Sequence, residues 1–265
     1  MTAAKERGAE KEGECKMEAQ KIKSDGKVTT LLLADFKLSL VNALRRAIIN
    51  GVSTLAMDDV TIYKNTSPMY DEILASRLGL IPLKTDSAIK KSKKEFLFKL
   101  KETGPKTIHA SDLIPSDKDV TPVYPETLII NLKEGESVEL EAKAVFGTGQ
   151  EHIKFSPAHV FYHFYPVIDI KKGAIKEAEK IAALCPIDIL EGSGDKLSVK
   201  KGKLQDCILC KACEDFAGSD NIKISSDAKR TVFEIETWGQ LETKDILDQA
   251  LECLTEELNE ISKKV

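Results

Sequence analysis

No stretch of this 265-residue chain is apolar for long. Its apolar runs fall far short of the ~20 residues that cross a bilayer. The N-terminus lacks the apolar core of a secretion signal. Positive charge is not in excess either: 39 Lys and Arg stand against 43 Asp and Glu, a net charge of −4. That leaves no strong positive field to bind nucleic acid unaided. G-x-S-x-G, P-loop and G-x-G-x-x-G signatures are all missing, so no nucleophile elbow or phosphate cradle is on offer. Histidine is scarce, with His109, His152, His159 and His163 the only four. His159 and His163 would share one face of a strand, with no zincin-type glutamate beside them, and are expected to be partly buried polar side chains. Six cysteines, four of them grouped by pattern, do not make a secreted disulfide scaffold. The expectation is a cytoplasmic protein, long enough for a sizeable core and more than one domain.

What cysteine there is carries information. Cys207, Cys210 and Cys213 lie in Cys207-Ile-Leu-Cys-Lys-Ala-Cys213, and Cys185-Pro186 lies upstream. Three thiolates spaced in this way, completed by a distant Cys-Pro, resemble the ligand set of one cluster in a bacterial-type ferredoxin, where C-x2-C-x2-C-x3-C-P occurs twice and each fourth Cys serves the other half. By the same spacing, the second cluster's ligands would fall at Ile175, Ala178, Ile181 and Ala217, all apolar. One cluster site is kept and the other is filled with core side chains. The four cysteines are therefore expected to bind one iron–sulfur cluster, [4Fe–4S] favoured over [3Fe–4S]. Zinc is the competing reading, since a set of four cysteines suits it too, but zinc sites usually pair two C-x2-C knuckles. A cluster that pins a small domain fits better than an electron carrier, because metal binding couples to folding.

Residues 1–24 are Lys-, Glu-, Gly- and Ala-rich without periodicity and read as a disordered tail, with no role for Cys15. A strand follows near 28–35, then a helix capped by Ser39 with an apolar stripe of Leu40, Val41, Leu44, Ala47 and Ile48. Another strand covers 60–63, after an acidic pair, Asp58-Asp59, expected in a solvated turn. Ser67-Pro68 is expected to cap a helix ending at Gly79. Residues 86–94 are a Lys-rich loop, 95–101 a strand, and 102–126, with four prolines, mostly loop. Strands resume at 127–132 and 137–145, and 154–170 forms a long strand interrupted near Pro157 and Pro166. After the Cys-bearing insert, 231–237 alternates as a strand and Thr243 caps a final helix. There Leu247, Leu251, Leu254, Leu258, Ile261 and Val265 are spaced 4, 3, 4, 3 and 4, a 3.5-residue seam for pairing with another helix.

Four segments together resemble a known family. Val41-Asn-Ala-Leu-Arg-Arg46 resembles the N-x-x-R-R helix of the α-like subunits of multisubunit RNA polymerases. Tyr70-Asp-Glu-Ile-Leu-Ala-Ser-Arg-Leu-Gly-Leu-Ile-Pro-Leu83 is similar to a segment of their archaeal and eukaryotic branch. Gly149-Gln-Glu-His-Ile-Lys-Phe-Ser-Pro157 and Phe233-Glu-Ile-Glu-Thr-Trp-Gly239 complete the series in order.

That resemblance implies an α+β fold: a discontinuous α-like dimerisation domain (25–62 and 223–265), an inserted mainly-β domain (63–170) and a ferredoxin-like insert (171–222). It implies pairing with the small α-like subunit L, then with small subunits N and P, to make a platform for the large subunits B and A. Asn42, Arg45 and Arg46 would touch assembly partners, and Leu247, Leu251, Leu254 and Leu258 would line the dimer seam. No catalytic residue is expected, nor direct specific nucleic-acid binding. Some relatives carry a Cys-rich loop after the I-P-L segment; residues 84–101 have no Cys, so no metal is expected there. An electron-transfer protein and a zinc-bearing interaction module remain alternatives at this point.

Overall fold

The computed structural model describes residues 17–84, 95–171 and 175–264. Cys15, Val265 and the whole of the Lys-rich loop 86–94 lie outside them. In chain order the first elements are β1 (Glu18–Ser24), β2 (Val28–Ala34), α1 (Leu38–Gly51), β3 (Ser53–Asn65) and α2 (Asp71–Gly79). Next come β4 (Phe96–Thr103), β5 (Lys106–His109), β6 (Ile114–Pro115), β7 (Leu128–Leu132), β8 (Ser137–Thr148) and β9 (Ala158–Ile170). The last are α3 (Ala178–Ala183), β10 (Leu190–Ser193), β11 (Lys196–Val199), α4 (Ala212–Ala217), β12 (Ile222–Thr237) and α5 (Thr243–Lys264). They fall into two compact units: the described parts of Met1–Ile22, Thr30–Lys37 and Tyr162–Phe233, and those of Lys23–Thr29, Leu38–Phe161 and Glu234–Val265.

The larger unit is built on a sheet of order β3-β8-β4-β6. Strict alternation explains it. Phe96, Phe98 and Leu100 of β4 and Val138, Leu140, Ala142 and Ala144 of β8 point into one core with α2's Leu74 and Leu78. The opposite face is charged, and the antiparallel register sets Lys99 against Glu141 and Lys101 against Glu139. Both pairs close as surface salt bridges, at 3.2 and 3.0 Å. These tune register more than stability.

Several local expectations were displaced by side chains competing for the backbone. The tail does not extend to residue 24: β1 hydrogen-bonds to β2 as the edge of a sheet of order β1-β2-β12-β9. The turn chemistry is the reason. Asp25 Oδ1 accepts the Val28 and Lys27 N–H groups at 2.7 and 3.1 Å, and Gly26 takes φ +91°. Asp58-Asp59 is not in a turn but inside β3, where a register shift between Met57 and Asp59 marks a bulge. Asp58 pairs there with Lys154. Ser67 does not cap α2, whose N-cap is Tyr70. Asn65 Oδ1 instead takes both the Ser67 N–H and hydroxyl, at 3.0 and 2.6 Å. Pro166 does not interrupt β9, because β9 lies at a sheet edge, where a missing N–H breaks no ladder bond.

Candidate metal centre and helix interface

The thiol set belongs to the smaller unit. Cys185 follows α3 in a turn whose Cys185 carbonyl accepts the Asp188 N–H at 3.1 Å. Cys207 follows a 3-10 turn at Leu204–Asp206, and Cys213 lies in α4. Between them Leu209 and Lys211 adopt left-handed φ values of 56° and 61°. Non-glycine residues rarely accept that conformation, and such strain concentrates where a loop must present side chains to a site.

The four cysteines line one pocket, with Ile189, Leu190 and Ile224 among its walls. Among the described residues none is in a disulfide; Cys207 and Cys213 are buried, Cys185 half-buried and Cys210 exposed. Burial pushes the Cys207 and Cys213 thiols up, and neighbouring cysteines add to this. Bare thiolates are therefore disfavoured here unless a cation balances them. Four thiols are a donor set that iron–sulfur clusters and zinc both accept, although among the described residues no three or more His, Cys, Asp or Glu side chains are placed as a group that could hold a metal ion. Ile175, Ala178 and Ile181 are buried in the core of this unit, and Ala217 packs against it.

The predicted partner residues lie in the larger unit. The inner side of the helix pair is Val41, Ala47 and Ile48 of α1 and Ile246 and Ala250 of α5. The helices meet closely at one point, where a Cβ on Gly51 would sit 2.6 Å from Cys253 Sγ. The seam faces elsewhere: Leu251, Leu258 and Ile261 are 52%, 66% and 61% exposed, and Leu247 and Leu254 half-buried. Leu38 and Leu40 of α1 are exposed as well. Leu40 is thus not a core residue of the α1 stripe.

Arg45 Nε donates to Asn42 Oδ1 at 3.1 Å. Arg46 is exposed in a groove with Asn50, Gln150, Leu254 and Glu257. The structure therefore brings Asn42 to Arg45 and Arg46 to Leu254's groove. Leu38 and the Gly51–Cys253 contact were missed from sequence; an apolar residue at the first position of a helix is too common a signal to single out. The histidines do not converge on a site: His152 accepts the Lys154 N–H, His163 Nδ1 contacts the Phe164 carbonyl, and His159 lies against Phe161.

Comparison with known proteins follows this geometry. Residues 60–161, from within β3 into the start of β9, match the RNA polymerase Rpb3/RpoA insert domain. That defines the class, a chain built around the insert of α-like polymerase subunits. DNA-directed RNA polymerase subunit Rpo3 of Methanosphaera stadtmanae is 36% identical over 242 residues, covering 84% of this chain and 89% of the relative. Rpo3 of Methanopyrus kandleri is 32% identical, covering 92% and 93%. Rpo3 of Pyrococcus furiosus is also 32% identical, covering 84% and 87%. The chain belongs to the archaeal DNA-directed RNA polymerase subunit Rpo3 family. Among the described residues no helix is long and apolar enough to cross a membrane.

Proposed function

We propose that this chain is the D-type, α-like assembly subunit of an archaeal DNA-directed RNA polymerase. It takes no catalytic part in nucleotide transfer and works by pairing. The α1–α5 face receives the small α-like subunit L; the heterodimer then takes up subunits N and P and the large subunits B and A. The observation that carries this is the apolar strip on α5. Leu251, Leu258 and Ile261 stand in solvent on the isolated chain, whereas a helix serving only its own core would turn such residues inward.

Cys185, Cys207, Cys210 and Cys213 would hold one iron–sulfur cluster, [4Fe–4S] rather than [3Fe–4S], within a ferredoxin-like insert. When bound, the cluster supplies metal–thiolate bonds whose free energy couples to folding of the insert. The protein's own part is to present the thiols from a strained loop and to wall them with Ile189, Leu190 and Ile224. Apolar side chains at the four positions of a second cluster favour a structural role over electron relay.

The experiment is Leu258→Asp beside Glu256→Lys. Leu258 is too exposed to matter for folding. Burying a Leu side chain is worth about 1.5–3 kcal/mol, and an unpaired carboxylate in its place adds a desolvation cost. Affinity for subunit L should fall by roughly a hundredfold or more, with Glu256→Lys near wild type. Equal affinities for the two variants would place the interface elsewhere.

A further inference from the structure

A second surface of the larger unit lies apart from the helix seam in sequence and carries an unmet hydrogen bond. The turn between β12 and α5 presents Trp238, the only tryptophan of the chain, and Gln240. With Leu80, Pro82, Tyr124 and Ile153 they line a pocket. The turn is tightly built. Trp238 N–H donates to the Pro157 carbonyl at 3.1 Å, and Gly239 N–H to Thr237 Oγ1 at 3.0 Å. Gly239 has φ +89°, and a Cβ there would meet Val123 Cγ1 at 2.7 Å. Val123 is tied in turn to the Pro82 carbonyl at 2.9 Å. The pocket walls are thus held before anything binds.

Gln240 is only 4% exposed, yet its Oε1 is buried with no hydrogen-bond partner among the described residues. Buried polar atoms without partners are rare and each needs a reason, a bound water or a donor that arrives with a partner. Around it the rim is apolar and open: Leu80 is 59%, Ile153 64% and Trp238 42% exposed. Lys154, the one charged lining residue among those described, is engaged by Asp58 and lies over the Phe155 ring. Among the described residues the site therefore offers apolar walls, neutral polar groups (the Gln240 amide and the Tyr124 and Ser156 hydroxyls) and no lining charge left unpaired.

We propose that this pocket seats an extended, uncharged polypeptide segment of another polymerase subunit. The segment lays an apolar side chain against Trp238 and donates a main-chain N–H to the Gln240 amide oxygen. Rotation about the last, broad side-chain torsion of Gln240 turns that oxygen to the donor. Leu80, Ile153 and Trp238 of the lining stay 59%, 64% and 42% exposed, apolar surface that a small molecule seated in the concavity would leave in water and an overlying chain segment would cover. The proposal rests on the assembly reading but not on the helix seam.

The test uses the single tryptophan. The full chain, labelled with 5-fluorotryptophan, gives one fluorine resonance from Trp238. Purified, unlabelled polymerase subunits are added in turn and assembly is followed by gel filtration. We expect the resonance to shift and lose its solvent-isotope response when one particular subunit joins. Gln240→Leu should weaken uptake of that subunit at least tenfold and leave pairing with subunit L unchanged. Full assembly with an unaltered resonance overturns the pocket proposal alone. A chain that joins no assembly overturns the functional reading and this proposal with it. A shift produced by a low-molecular-weight cell filtrate instead of a subunit, or normal uptake by Gln240→Leu, also overturns it, the latter leaving Gln240 Oε1 to a bound water.

Discussion

Gly51→Ala probes how closely α1 and α5 must approach. Gly51 ends α1 without a positive φ, so a methyl group is compatible with its backbone. Considered alone, the change should help by about 0.5–1 kcal/mol, because it narrows the unfolded ensemble. The new Cβ, however, would lie 2.6 Å from Cys253 Sγ. Ordinary contacts between such atoms lie at about 3.5–4 Å, so the Cys253 side chain must rotate or one helix must move by about 1 Å. Overpacking of this kind costs about 1–3 kcal/mol, which leaves a net loss of up to about 2.5 kcal/mol.

Cys253→Ala removes the obstructing sulfur from a half-buried site, at a cost of about 1 kcal/mol or less. The double variant should then recover most of the Gly51→Ala loss, with a coupling of about 1–2 kcal/mol between the sites. Urea unfolding of the three variants and the parent, with the slope held constant, measures the coupling. If the two single effects simply add to within about 0.4 kcal/mol, the helices do not meet at these residues and the placement of the seam relative to α1 falls with them.

Two further perturbations address the thiol pocket and a local cap. Cys207→Ser/Cys210→Ser should abolish bound iron and raise hydrogen exchange across 171–222, while β3–β8 protection and pairing with subunit L persist; iron analysis with exchange mass spectrometry checks both, and lost pairing would mean that the cluster supports the dimer directly. In Asp112→Asn a 3-10 cap is weakened: Asp112 Oδ2 accepts the His109 N–H at 2.8 Å and Oδ1 the Lys106 ammonium at 2.9 Å. The loss should be about 1 kcal/mol at neutral pH. The His109 N–H, then Lys106, hold this carboxyl below its ordinary value. Its contribution is therefore full above the unfolded value and fades as pH falls through the lower folded one, so the Asn variant should show a shallower acid limb in stability against pH.

Periodicity made the most densely packed parts legible. β4 and β8 alternate so strictly that their faces follow from the residues alone, and the apolar stand-ins Ile175, Ala178 and Ile181 lie in the core as their chemistry suggests. The 3.5-residue spacing in α5 picked out side chains that are largely exposed on this chain. Other features depend on tertiary context. β1 has an exposed, charged pattern, and only the Asp25-Gly26 turn before β2 hinted at a hairpin. Asp58 sits in a strand because a bulge turns it to Lys154, 96 residues on. The inner face of α5 rests on Ile246 and Ala250, a short pair without a visible stripe. Nothing in sequence shows that Gln240 would lack a partner, because that depends on every neighbour at once.

The β3–β8 ladder has one more consequence. Its outermost pairs set Ser53 against Thr148 at one end and Asn65 against Val138 at the other. The segment that leaves the chain at Ser53 therefore returns beside it at Thr148, about 5 Å across the ladder. Its core, from Leu55 to Ala144, lies entirely between those two residues. A module whose entrance and exit coincide can be lengthened, shortened or exchanged without pulling on its host, since closing such a gap costs a host loop little. Recombination at these two points is thus open to this chain: the 53–148 segment could be transplanted between α-like subunits as one piece, its register carried with it.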